Sequence, residues 1–275
     1  MTIKKAFYGT PLVRVVTPTG GYLRGGFGRE IYDEYQKLVR DKYHNNDDLK
    51  NVLVYEAGEV IGTSIPAVIA VNEVLQKNGR RERVGNLTDI QRAINMKFDF
   101  GENPQIDLGI TINDEGLHRP NYCLSEHAYS ALARDLPAKL KERFLGIKSP
   151  VLIPLTELEL YLTKSFGNLM ALKVRLKREA TIYDNQQSLV DGGYYSPKDI
   201  SKETGLPTRL GKWSKERNRE LTGSSPMGRL GFYGGQEFHI SAYDDWLYHS
   251  NWDGKPHGRI FIVDPQDVRI VGNKK

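Results

Sequence analysis

The chain has 275 residues, 39% of them hydrophobic and 27% charged, which excludes a disordered or fibrous polypeptide and allows one large domain or two of ordinary size. A net charge of +5 permits an anionic partner without demanding one. The lone cysteine, Cys123, cannot close an internal disulfide and fits a reducing compartment, so a cytoplasmic location is expected. A small packed side chain explains this cysteine better than a catalytic thiol does.

The first residues, Met-Thr-Ile-Lys-Lys-Ala-Phe-Tyr-Gly-Thr, read as neither a signal peptide nor a membrane span. Residues 11–16 (Pro-Leu-Val-Arg-Val-Val) are β-branched and bounded by turn residues, which predicts a short strand. Gly20, Gly21, Gly25, Gly26 and Gly28 then crowd what reads as a flexible loop. Ile31, Tyr35, Leu38 and Val39 fall at helical spacing, so a helix is expected from Ile31 to Lys42. Asn51 to Tyr55 reads as a second strand. An apolar helix is predicted from Pro66 to Lys77, capped by Ser64 or Thr63 and closed by Asn78-Gly79. Its apolar run, Ile65 to Leu75, is interrupted by Asn72 and Glu73 and is too short to cross a bilayer, so no membrane association is expected. Arg80-Arg81-Glu82-Arg83 reads as a solvated connection. Thr88 to Lys97 reads as a helix, Ile106 to Ile112 as a strand, and Ser125 to Phe144 as a helical region disturbed by Pro137.

From Val151 the pattern turns to strands. Val151 to Pro154 is a short run. Leu172, Val174 and Leu176 alternate with Lys173, Arg175 and Lys177, which predicts a half-buried strand with a basic outer face. Thr181 to Tyr183, Glu237 to Ile240, Arg259 to Val263 and Val268 to Val271 complete the expected strands, with a polar helical stretch at 198–221. The expected fold class is mixed α+β: an N-terminal α/β part over 1–148 and a C-terminal β-rich part over 149–275 containing a helical pair at 197–221. A single domain is the alternative.

That pair is the best local signal for function. Ser196-Pro197 opens a short helix, Ile200 supplies a buried position and Ser201 a small one. Gly205 offers a residue free to take positive φ, and Pro207-Thr208 starts a second helix with Leu210 and Trp213 on one face. The stretch resembles a helix-turn-helix. Between 197 and 229 stand eight Lys or Arg against four acids, an excess of +4. Phosphate binding needs a local excess of this kind.

The expected function is therefore nucleic-acid binding, with DNA ahead of RNA. Thr208 would sit on a phosphate at the N-terminus of the second helix, and Arg209, Lys212, Lys215 and Arg217 would face phosphates or base edges. Lys173, Arg175 and Lys177 would add nonspecific affinity, and the turn Gly228 to Gly235 with its following strands would form a wing. No cofactor and no metal is expected, since zinc spacing of Cys and His is missing. Asp107, Asp114, Glu115 and Glu179 near Lys177 read as solubilising acids better than as a nuclease site.

A second reading rests on other residues. Tyr8-Gly9-Thr10 with Arg14, Gly62-Thr63-Ser64, and Glu237 near His239-Ile240-Ser241 loosely resemble ADP-ribosyltransferase-like enzymes. The resemblance implies NAD as substrate, Arg14 on its pyrophosphate and Glu237 as the acid, although Glu237 precedes His239 where the family pattern has the reverse order. A third reading is an assembly protein with no ligand, acting as a homo-oligomer.

Overall fold

In chain order the elements are β1 (Lys4–Ala6), β2 (Arg14–Val15), β3 (Gly21–Tyr22), α1 (Gly25–Asp41), α2 (Asp47–Lys50), β4 (Val54–Glu56), β5 (Glu59–Ile61), α3 (Ile65–Lys77), β6 (Arg83–Val84) and β7 (Gln105–Ile112). They continue with β8 (Val151–Pro154), a 3-10 turn at Leu155–Glu157, β9 (Leu158–Lys164), β10 (Met170–Leu176), β11 (Thr181–Asp184), β12 (Met227–Tyr233), β13 (Glu237–Ser241), β14 (Phe261–Val263) and β15 (Val268–Arg269). The structure, a computed structural model, describes residues 4–6, 14–15, 21–87, 89–90, 93, 97–102, 104–112, 151–164, 170–178, 180–184, 227–233, 237–241, 258–264 and 268–269. The expected helices at 125–144 and 198–221 lie outside the described residues.

The apolar helix α3 is the hub. Ser64 caps it, its Oγ accepting from the Ala67 N–H at 3.1 Å, and Pro66 occupies the first turn. Every residue from Ile65 to Leu75 except Glu73 is buried, as befits a helix that is apolar around its whole circumference. Gly79 takes φ +63° just past its end. Helix α1 lies antiparallel to it, because Lys42 near the end of α1 pairs with Glu73 at 2.5 Å while Glu30 near its start pairs with Arg80. Ile31, Tyr35, Leu38 and Val39 form the buried stripe of α1. The ribbon β9–β10 covers α3 from another side, with Leu158, Leu160, Leu172, Val174 and Leu176 in the same core.

Helix α1 begins at Gly25, six residues before the expected start. Tertiary contacts override the poor helix propensity of its glycines. The Gly25 N–H donates to Gly58 O at 2.7 Å, and the Tyr55 hydroxyl donates to Gly25 O at 3.0 Å. Gly28 is required by packing: a Cβ there would lie 2.5 Å from the Leu23 carbonyl carbon.

The largest sheet has six strands in the order β1-β11-β8-β7-β12-β13, and β1–β11 is its one parallel pair. Strands from both sides of the expected 148/149 boundary share this ladder. The stretch Gly228 to Gly235, read from sequence as a turn leading into a wing, instead lies through Tyr233 in strand β12, hydrogen-bonded between β7 and β13. The register of β7 against β12 slips between Leu230 and Gly231, so that Leu108 has no opposite residue on β12. Ile106 and Leu108 enter a second, aromatic core with Tyr22, Phe100, Phe232 and Phe261, whereas Ile110 joins the first. Smaller sheets are β3-β14-β6, β15-β2 and the hairpin β4-β5. Arg83, expected in a solvated connection, lies in β6 and makes two hydrogen bonds to Asp89. Asp89 is also the acidic half of a reciprocal cap with Asn86, and Leu87, Asp89, Ile90 and Ala93 are helical.

Candidate nucleic-acid interface

The residues chosen from sequence divide into two groups. Thr208, Arg209, Lys212, Lys215 and Arg217 lie outside the described residues. Lys173, Arg175 and Lys177 lie on or just after β10, and their expected exposure is largely corrected. Lys173 stands opposite Tyr161 in the ribbon but is only 6% exposed. Arg175 is exposed, pairs with Glu159 at 2.7 Å and sits 5.0 Å from the Tyr161 ring centroid. Lys177 turns inward, donating to Thr156 O at 2.6 Å and to Gln76 Oε1 at 3.3 Å. Burial holds its amine below the usual lysine value, against the opposing pull of Glu157 and Glu159. Alternation of apolar and basic residues predicted a solvated face. The structure leaves Arg175 as its exposed member.

Arg229 is also withdrawn from the basic surface. Two adjacent guanidinium nitrogens bind the Asp107 carboxylate, Nη2 to Oδ2 at 2.7 Å and Nε to Oδ1, while the Thr63 hydroxyl donates to Oδ2 at 2.8 Å. All three residues are buried. This network ties the start of α3 to β7 and β12. Asp107, read from sequence as a solubilising acid, is thereby a buried structural carboxylate; Asp114, Glu115 and Glu179 lie outside the described residues, as does Cys123.

Of the residues of the second reading, Tyr8, Gly9 and Thr10 lie outside the described residues, and the others fall on separate elements. Arg14 stands opposite Arg269 in β2–β15, Ser64 is spent on the α3 cap, and Glu237 and His239 lie on β13. Among the described residues no group of three or more His, Cys, Asp or Glu could hold a metal ion, and no helix is long and apolar enough to cross a membrane.

Sequence reasoning missed a cluster where the glycine segment meets the β4–β5 hairpin. Arg29 lies 5.0 Å from the Tyr55 ring centroid and 5.9 Å from that of Tyr32, and the two rings are 6.1 Å apart. Arg24 lies 5.2 Å from the Tyr22 ring and pairs with Glu59, which also binds Arg259 at 3.0 Å. Arg24 and Arg29 are 62% and 56% exposed. The available signal was the pair of arginines among the glycines; the tyrosine of the hairpin comes from a separate part of the chain and could not be foreseen. A groove of about 400 Å³ between α1 and α3 is another concave feature. Its floor is Leu38 and Val74, and its rim mixes Lys37, Lys42 and Lys77 with Glu34 and Asp41.

Comparison with protein-family models, curated proteins and solved structures finds no match to this chain.

Proposed function

We propose that this chain binds nucleic acid, DNA first, through the basic helical pair at 197–221. The observation that carries the reading is the concentration of charge. With Arg229 paired to Asp107, the stretch 197–221 still holds seven Lys or Arg against four acids, an excess of +3 in a chain whose total is +5. Counterion release makes such a stretch a phosphate binder whatever the base sequence, and side chains of the second helix then read base edges. On this reading Thr208 takes a phosphate at the helix N-terminus, Arg209, Lys212 and Lys215 face the duplex, Arg217 extends the contact, and exposed Arg175 adds affinity without specificity.

The test is a titration against duplex DNA, single-stranded DNA and RNA at two salt concentrations, with wild type and an Arg209→Ala/Lys212→Ala/Lys215→Ala variant. Loss of three phosphate contacts lowers the slope of log K against log salt by about 2.7 on duplex DNA. Equal affinity and equal slope for the two proteins would remove the helical pair from the interface. No binding of any of the three at low salt would end the nucleic-acid reading.

A further inference from the structure

We infer that the arginine–tyrosine face at the start of α1 is a stacking platform for single-stranded nucleic acid, made by Arg24, Arg29, Tyr32 and Tyr55. It extends the nucleic-acid reading to a second surface and uses none of the residues at 208–217.

Three observations point to the class of ligand. First, each exposed guanidinium already has a tyrosine ring beside it, 5.2 Å for Arg24 on Tyr22 and 5.0 Å for Arg29 on Tyr55. An arginine so placed is pre-ordered, and its exposed guanidinium is a cationic group of the kind on which unstacked bases lie. Second, the charge is nearly balanced: Arg29 pairs with Asp33 at 3.1 Å, and Arg24 shares Glu59 with Arg259, so three arginines face two carboxylates. A surface with so small a surplus attracts duplex phosphates weakly, so what it offers is guanidinium groups backed by tyrosine rings rather than net charge. Bases of a duplex are stacked on one another and withhold their faces, whereas those of a single strand present them. Third, the backbone at Gly25 and Gly26 is bare. A Cβ at either would meet nothing within 4 Å, so a sugar–phosphate chain can run close to the turn while its bases reach the guanidinium groups. The hairpin holds the platform rigid through Tyr55 Oη to Gly25 O at 3.0 Å and Gly25 N to Gly58 O at 2.7 Å.

Fluorescence anisotropy with labelled oligodeoxythymidine, oligouridine and a hairpin duplex tests this on the full chain. The informative variants are Arg29→Lys, which keeps the charge and loses the planar guanidinium, and Tyr55→Leu, which keeps apolar bulk and loses the ring together with its hydrogen bond to Gly25 O. Arg29 is largely exposed, so its substitution leaves the core intact. Each variant should bind the single strands about tenfold more weakly, with the salt slope and the duplex affinity unchanged. Single-strand affinity equal to wild type in both variants overturns the inference and leaves the reading of 197–221 standing. Weakening in these variants with none in the Arg209, Lys212 and Lys215 variant supports this face and removes the helical pair. Failure of wild type to bind any single strand also overturns the inference, and duplex binding then decides the broader reading.

Discussion

Replacing Arg229 by methionine would strip the Asp107 carboxylate, 1% exposed as a side chain, of its guanidinium partner and leave it the Thr63 hydroxyl as a donor. Methionine approximates the volume of the arginine stem, so the main loss is electrostatic. Breaking a buried, doubly hydrogen-bonded pair from one side costs about 3–5 kcal/mol, because a charge stays behind in a dry environment. At about 2–4 °C per kcal/mol for a chain of this size, the melting temperature falls by roughly 6–20 °C. Urea denaturation of Arg229→Met beside wild type measures the loss. The double variant Asp107→Leu/Arg229→Met removes the stranded charge and recovers much of the loss, giving a coupling energy of about 2 kcal/mol or more. A single-variant cost below about 1 kcal/mol, or an additive double variant, would show that the pair does not hold β7 to β12.

Two further outcomes follow from local geometry. Burial pushes the Tyr35 hydroxyl, which donates to Leu49 O at 2.7 Å, well above the ordinary tyrosine value of 10.0. A raised folded-state value means that this contribution is intact below pH 10 and is lost as pH rises beyond it, by about 1.4 kcal/mol per pH unit. In denaturation curves between about pH 9 and 11, Tyr35→Phe should show a shallower fall by that amount, at a cost near neutrality of about 1 kcal/mol for the lost hydrogen bond; an unchanged slope would refute the assignment. Gly28→Ala should destabilise by about 1–3 kcal/mol through the clash with the Leu23 carbonyl. Gly26→Ala, where a Cβ meets nothing, should be neutral or stabilising by up to about 1 kcal/mol, and thermal melts of the two compare them directly.

Local pattern carried far along this chain. Ser64 as cap, Pro66 in the first turn and Gly79 as terminator were readable because capping and turn chemistry act within a few residues. The buried stripe of α1 followed from periodicity, as did the strands around Ile110, Val174 and Ile262. Strands β1, β3, β5, β6, β9 and β12 have no counterpart in that pattern: β1, β3, β5 and β6 have only two or three residues each, and β12 carries Gly228 and Gly231, which lower strand propensity until β7 and β13 supply partners on both sides. The glycine-rich start of α1 was missed for the same reason, since Gly58 and Tyr55 of a distant hairpin fix it.

The candidate interface divides along the same line. Sequence alone determined that basic charge gathers at 197–221, because formal charge is a property of composition and needs no fold. Only the tertiary structure decided which cations remain available outside that stretch. It buried Lys173, drew Lys177 onto Thr156 and Gln76, and closed Arg229 onto Asp107, while it left Arg24 and Arg29 exposed beside tyrosine rings. A cation's exposure depends on which carboxylate, carbonyl or ring the fold carries to it, and the Arg229 and Asp107 positions, 122 residues apart, share no local signal from which that meeting could be foretold.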